Sequence, residues 1–159
     1  FQQIMTATVR QKAQHAFIEN TLSFGKTQNK TSTVGVFQAP EIAFIKMKAQ
    51  QIDSPIITIS DHLLVGKKAV RHADAGDALS IAEWQELPLL MLQPKYVLYD
   101  VKNESVLYLL ESLDKEDEKL IKLSLRSKNG VIEIVSVFKI FDAAIVDGLN
   151  AAHYELIRE

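Results

Sequence analysis

The spacing of apolar residues in the first third of the chain predicts two helices joined by a linker. In residues 1–24, apolar or small side chains recur at helical spacing, at Met5, Val9, Ala13, Ala16 and Phe17. Residues 25–33 are polar and turn-prone without periodicity, which is typical of a linker. A second helix is predicted from Pro40, because proline suits a first helical position. We therefore expect residues 1–55 to form a helical arm or linker, separate from a domain over residues 56–159.

The chain then changes to a short strand and polar helices, around which the remaining sequence is organised. Residues 56–59 are a β-branched run, and Ser60 or Asp61 is suited to cap a helix that starts there. The basic side chains and imidazoles of that helical segment are His62, Lys67, Lys68, Arg71 and His72. A further helix is predicted after Ser80, because Ser80 and Glu83 have the spacing of a capping box.

Beyond Lys95 the apolar pattern changes to that of strands separated by polar turns. The predicted strands are residues 96–101, 105–112, 119–127 and 131–141. A last helix, interrupted at Gly148, is predicted over residues 142–159. The expected fold class is therefore α+β, with N-terminal helices, a four-stranded antiparallel β-meander and a C-terminal helix.

The Asn129-Gly130 pair predicts a two-residue hairpin turn, because both residues accept positive φ angles cheaply. In the register that this turn implies, Lys122 faces Val137. One sheet face is then apolar apart from Ser136, and the polar side chains of the other face are Lys122, Ser124, Arg126 and Glu133. A one-residue bulge would exchange these roles.

Composition narrows the function classes. The 159 residues are 47% hydrophobic with a net charge of −2, which predicts one buried core and no general attraction to nucleic acid or anionic membranes. The absence of cysteine excludes disulfides, thiol catalysis and Cys-ligated zinc. No run reaches the length of a membrane span, and no signal peptide is visible. Because the chain opens on Phe1 rather than Met, we expect a processed or excised product of a longer protein.

Motifs for phosphate loops and metal sites are missing from the sequence. The six glycines are scattered, so neither a phosphate loop nor a dinucleotide motif is formed. Asp61, His62, His72, Asp74 and Asp77 match no metal-ligand spacing, and a solvated polar helix accounts for them better. We therefore predict no metal site and no cofactor.

The remaining polar residues suit a metal-independent ribonuclease. Such an enzyme needs a base for the 2′-hydroxyl, an acid for the leaving 5′-oxygen, and fixed cations for the developing charge. The predicted catalytic residues are His72, His62 and Ser136, and the predicted substrate-binding residues are Lys122, Arg126, Lys68 and Arg71. A purely structural interpretation competes with this one, because polar helices are commonly solvated and Arg126 opposite Glu133 is an ordinary cross-strand pair.

Several short sequence segments, in a fixed order, resemble segments of a known protein family. They are ITISDHLL, the helix from Leu79 to Pro88, Gln93-Pro94 before the YVLYD strand, and the closing FDAA with YEL. Over roughly residues 56–159, this order resembles the C-terminal domain of phage Mu F-like minor head (head morphogenesis) proteins.

The resemblance implies a fold similar to the barnase, EndoU, colicin and RelE-like nucleases, and metal-independent cleavage of RNA. It implies that His72 stands at the position of a basic family residue, that Lys122 lies in the basic strand, and that Ser136 is the last-strand hydroxyl. Many members carry a His where this chain has Gly66. The proton transfers would then fall to His62 or His72, or this copy has lost catalysis.

Two functions follow as expectations. The domain is either an RNase-like effector carried in a virion protein, with RNA as substrate and an immunity protein as a further partner, or a non-catalytic head component that binds portal, capsid or nucleic acid. Recognition of RNA without cleavage is a third alternative. The expected location is the phage virion or the bacterial cytoplasm, without a membrane partner. A concave face lined by His72, Lys122 and Arg126 would favour the enzyme, whereas a flat apolar patch would favour assembly.

Overall fold

The computed structural model describes residues 2–159, and the side chains of residues 2–5 and of Lys68 lie outside this description. The helices are α1 (Gln2–Phe24), α2 (Ala39–Met47), α3 (His62–Val65), α4 (Lys67–Ala75), α5 (Ile81–Leu90) and α6 (Asp142–Asn150). The strands are β1 (Thr31–Val36), β2 (Ile56–Ser60), β3 (Tyr96–Asp100), β4 (Ser105–Glu111), β5 (Lys119–Lys128), β6 (Val131–Phe141) and β7 (Tyr154–Arg158). None of the described helices is long and apolar enough to cross a membrane.

The described strands form one mixed sheet in the order β1-β2-β6-β5-β4-β3-β7. β2 lies parallel to β6, and the other neighbouring pairs are antiparallel. The predicted fold, with a four-stranded antiparallel meander and one C-terminal helix, is therefore wrong. Strands β3 to β6 do follow one another as antiparallel neighbours, but the sheet continues on both sides, and residues 2–159 form seven strands and six helices.

The two edge strands, β1 and β7, are the elements that the sequence pattern does not predict. β1 begins inside the predicted linker and pairs with β2. β7 lies within the predicted last helix, which instead ends at Asn150 before the chain reverses near Ala152, at φ 59°. Each edge strand pairs on one side only, with residues that are distant in sequence, so local apolar spacing gives little sign of it.

The two faces of the sheet are covered differently. On one face, the main core packs beneath α2 and α5, and its fully buried side chains include Ile57, Tyr108 and Leu123. On the opposite face, α6 covers β3 and β4, where Ile145 packs in a second cluster with Leu98. Beside α6, the same face stays polar over β5 and β6. We call this region the polar face, and its central residues are Lys122, Ser124, Ser136 and Phe138.

A β-bulge in β6 changes the predicted pairing of β5 with β6. Beside the hairpin turn, the predicted pair of Arg126 and Glu133 is confirmed. The register then shifts at Val135, so that Lys122 lies opposite Phe138 and not opposite the residue before it. Because an extra residue moves every following side chain to the other face, Phe138 points away from the main core.

Helix α1 buries a different face from the predicted one. Val9 is 69% exposed, and the buried side chains of α1 are Ala7, Gln14, Ile18 and Thr21. The side-chain amide of Gln14 donates to the Trp84 carbonyl oxygen at 3.1 Å, and the side-chain amide of Gln11 donates to Glu86 Oε2 at 2.6 Å. Polar contacts with α5 thus help to set the orientation of α1, and apolar spacing does not reveal them.

The capping box of α5 is confirmed. The Glu83 amide donates to Ser80 Oγ at 3.1 Å, and the Ser80 amide donates to Glu83 Oε1 at 3.0 Å. Leu87 is fully buried one turn after Glu83, whereas Ile81 on the outer side is 57% exposed. The cap therefore starts the helix where the sequence predicts, while packing decides which side of the helix is covered.

Candidate functional site

The polar face has an aromatic centre, Phe138, which two of the predicted site residues contact. The imidazole of His72 stacks on the Phe138 ring, with 4.9 Å between ring centroids and 16° between planes. The Nζ atom of Lys122 lies 5.1 Å from the same ring centroid. One helix and two neighbouring strands therefore bring an imidazole and an ammonium group to a single ring.

The chain that follows α4 holds His72 against β6. Gly76 ends α4 in the left-handed conformation, at φ 76°, which glycine adopts without steric cost. The Lys139 amide then donates to the Asp77 carbonyl oxygen at 2.8 Å. Because Lys139 directly follows Phe138, this hydrogen bond fixes the end of α4 beside the ring. The position of the imidazole thus depends on a contact between two elements that are distant in sequence.

Lys122 is half-buried, and no carboxylate of the described residues lies within ion-pair distance of its ammonium group. Burial lowers the pKa of Lys122, and the charge of Asp100 offsets only part of that effect. The cation–π contact with Phe138 compensates for some of the lost hydration. A bound anion would stabilise the ammonium form further, since it would supply an opposite charge at short range.

A pair of hydroxyl groups lies next to this cation. Ser124 and Ser136 are direct cross-strand partners on β5 and β6. Ser124 is two residues from Lys122, and Ser136 is two residues from Phe138, so the four side chains share a face. Serine hydroxyls can donate hydrogen bonds to phosphate oxygens. The polar face therefore combines a cation and two hydroxyl donors beside an aromatic ring.

His62 lies at the β2 margin of the same sheet, where β2 ends next to β6. Its side chain is exposed, and Nδ1 lies 2.7 Å from Ser60 Oγ. The neighbouring carboxylate of Asp61 is structural, since it accepts hydrogen bonds from Thr27 Oγ1 at 2.5 Å and from the Gln28 amide at 2.7 Å. Burial raises the pKa of Asp61, but these hydrogen bonds outweigh it and lower the pKa overall.

The remaining predicted residues lie away from Phe138. Arg126 is exposed near the hairpin end of β5, about 13 Å along the strand from Lys122 at the usual strand rise. Arg71 is exposed on α4, and the side chain of Lys68 lies outside the described part of the chain. The structure therefore groups His72, Lys122 and Ser136, whereas Arg126 lies on the same face of the sheet but further along β5.

Sequence reasoning missed Phe138, the residue at the centre of the site. The register that follows from the hairpin turn places Phe138 in the core, and only the bulge moves it to the polar face. It also missed Asp100, a buried carboxylate whose charge acts on Lys122. Asp100 ends β3 and lies two strands away from Lys122 in the sheet, so spacing along the chain does not associate them.

Among the described residues, no group of three or more His, Asp or Glu side chains is arranged to hold a metal ion. Comparison with protein-family models, with curated proteins and with solved structures finds no match to this chain. The resemblance to phage Mu F-like head proteins therefore stays a prediction, and the function has to be inferred from the geometry of the polar face.

Proposed function

We propose that this chain binds single-stranded RNA across the polar face and cleaves it by attack of a ribose 2′-hydroxyl on the adjacent phosphate. The observation that carries the proposal is the contact of both His72 and Lys122 with the Phe138 ring. A cation without a described carboxylate partner and an imidazole beside it are the groups that this reaction needs, one for the charge of the phosphate and one for proton transfer.

Binding of the phosphate falls to Lys122, Ser124 and Ser136. The ammonium group supplies the opposite charge, and the paired hydroxyls supply hydrogen bonds of defined direction. The net charge of −2 gives no general attraction for RNA, so the affinity has to come from this local group of side chains. We therefore expect weak binding with a shallow dependence on salt concentration, because only one cation contacts the phosphate.

The reaction requires two proton transfers and no external nucleophile. A base removes the proton of the 2′-hydroxyl, whose oxygen forms a bond to phosphorus while the bond from phosphorus to the 5′-oxygen breaks. An acid then gives a proton to that 5′-oxygen, so that the products are a 2′,3′-cyclic phosphate and a 5′-hydroxyl. We assign one transfer to His72 and the other to His62, while Lys122 stabilises the charge on the phosphoryl oxygens.

The test is cleavage of single-stranded RNA by the purified chain in the presence of EDTA. We expect His72→Ala to lower the rate on the order of a hundredfold, which is typical of a lost acid or base. His72→Phe should lose as much activity although it keeps an aromatic ring on Phe138, because a phenyl ring transfers no proton. His153→Ala is the matched control, since His153 is exposed in the turn before β7.

An oligonucleotide with 2′-deoxyribose at every position should remain intact, because it lacks the nucleophile. Equal cleavage by the wild type, His72→Ala and His153→Ala would contradict the assignment of His72. If the wild type neither cleaved nor bound any RNA, the ribonuclease proposal would be wrong and the non-catalytic head component would be the better description.

A further inference from the structure

We propose that a groove at the hairpin end of the sheet is a second subsite for the same RNA strand, and that it prefers a base with an exocyclic amino group over uracil. This inference rests on the proposed function and extends it to a nucleotide further along the same strand. The groove has a volume of about 580 Å³, within the range of known ligand sites. We call it the end groove, and its lining includes Gln50, Gln51, Lys102, Asn103, Arg126 and Asn129.

Arg126 joins the end groove to the polar face. It lies on β5 four residues after Lys122, with Ser124 between them, so all three side chains point to the same side of the sheet. About 13 Å separates the first and last of these positions at the usual strand rise. An extended strand whose phosphate contacts Lys122 would therefore follow β5 towards Arg126 and reach the end groove.

The cations of the end groove are available to a phosphate. Neither Arg126 nor Lys102 forms an ion pair with a carboxylate of the described residues. Glu133, the cross-strand partner of Arg126, lies 3.8 Å from Lys128 Nζ. Arginine can hold a phosphate through two parallel hydrogen bonds, so Arg126 is the stronger of the two anchors.

Three amide side chains of the end groove, those of Gln50, Gln51 and Asn103, have oxygen atoms that remain open to a ligand. Their nitrogens already donate to protein oxygens, from Gln50 to Tyr99 Oη at 3.3 Å, from Gln51 to Asp53 Oδ1 at 2.9 Å, and from Asn103 to Asp100 Oδ2 at 2.8 Å. No described hydrogen bond uses the side-chain oxygens of these three residues. The groove therefore offers several acceptors to a ligand.

The acceptors favour bases that carry amino groups. Adenine, cytosine and guanine each have an exocyclic amino group that donates hydrogen bonds, whereas uracil has none and carries a carbonyl oxygen where cytosine has its amino group. The carboxylate of Glu104, which also lines the groove, adds a further acceptor. Uracil has a single base donor, its N3 hydrogen, so it would satisfy fewer of these acceptors than a base with an amino group.

The experiment measures binding of 2′-O-methyl oligonucleotides of A, of C and of U by fluorescence anisotropy at one low salt concentration. These probes have no free 2′-hydroxyl and are not cleaved by the proposed reaction. We expect the wild type to bind the A and C probes at least about fivefold more tightly than the U probe. Gln51→Leu should reduce that preference. Arg126→Ala should weaken the binding of all three probes by a similar factor. Lys115→Ala, at an exposed lysine of the β4–β5 loop, is the control for lost charge.

Each result separates the two proposals. Weaker binding by Lys122→Met but not by Arg126→Ala would overturn the second subsite and leave the proposed function in place. Loss of affinity in Arg126→Ala without any base preference in the wild type would overturn the amino-group preference. If the wild type bound no probe, both the subsite and the proposed function would be wrong.

Discussion

Two lysines of the β5–β6 hairpin occupy opposite faces of the sheet and have opposite surroundings. On the core side, Lys139 is 10% exposed, and its Nζ contacts Glu83 Oε1 at 2.9 Å and Asp117 Oδ2 at 2.7 Å. Burial opposes the charge of Lys139, but the hydrogen bonds to these carboxylates outweigh it and raise the pKa. On the polar face, Lys122 contacts the Phe138 ring and has no described carboxylate partner, and burial lowers its pKa.

The difference indicates that Lys139 serves the fold, and it makes Lys122 the cation that our proposal assigns to the RNA phosphate. Lys139 connects β6 with the capping box of α5 and with the β4–β5 loop, so its partners are already in place. Lys122 loses hydration on folding without a matching carboxylate, which lowers stability. Perturbed groups of this kind are common at functional sites, where the ligand supplies the missing charge.

The largest effect should follow from removal of the core-side cation. We expect Lys139→Met to lower the free energy of unfolding by about 3 kcal/mol, because Glu83, 2% exposed, would remain buried without its cation. Urea denaturation followed by circular dichroism measures the change. Lys115→Met, at an exposed loop lysine, should change it by less than about 0.5 kcal/mol. A loss no greater than that control would show that the buried network contributes little.

A smaller and opposite effect on stability is expected on the polar face. Lys122→Met should raise the free energy of unfolding by about 0.5–1 kcal/mol, because methionine keeps the aliphatic packing and removes the desolvated charge. The same variant should bind RNA about tenfold more weakly. Denaturation and anisotropy on one protein preparation give both quantities. Lower stability together with unchanged RNA affinity would assign Lys122 a structural role instead.

The smallest expected effect is a dependence on pH. The folded-state pKa of Lys122 lies below its ordinary 10.5, so between these two values the unfolded chain binds more protons and the free energy of unfolding rises with pH. The deficit in unfolding free energy of the wild type relative to Lys122→Met should therefore be constant below the folded-state pKa and shrink as the pH rises from there towards 10.5. Lys139 acts in the opposite sense: its stabilisation is present below 10.5 and is lost as the pH rises through its raised pKa.

Urea denaturation at several pH values checks this prediction, with the two proteins compared at each pH so that other titrating groups cancel. A difference in unfolding free energy that stayed constant with pH would mean that the ammonium group of Lys122 is not destabilised by folding.

Sequence signals that involve only neighbouring residues predicted two local features of the structure correctly. The Asn129-Gly130 turn is confirmed, with φ angles of 54° and 82°, and so is the capping box of Ser80 and Glu83. Each depends on the conformation or hydrogen bonds of residues at most three apart. Signals of this kind did not predict β1, β7 or the buried side of α1, because these features depend on partners far along the chain.

The candidate site shows the same division. The choice of His72 and Lys122 came from residue type and pattern, and the structure places both at one ring. The ring itself, Phe138, was assigned to the wrong face, because one extra residue in β6 reverses the direction of every side chain after it. Arg126 pairs with its predicted cross-strand partner, Glu133, yet it lines the end groove and does not lie beside Phe138.

By itself, the sequence determined local conformations of this protein: the cap of α5, the hairpin turn at Asn129-Gly130, and the four central strands β3 to β6. Only the tertiary structure decided that the sheet has seven strands, that Phe138 faces away from the core, and that the loop after α4 bonds to β6 beside that ring. Turns and caps are set by neighbouring residues, whereas a sheet face is set by register and by long-range pairing, which are settled only when the whole chain packs.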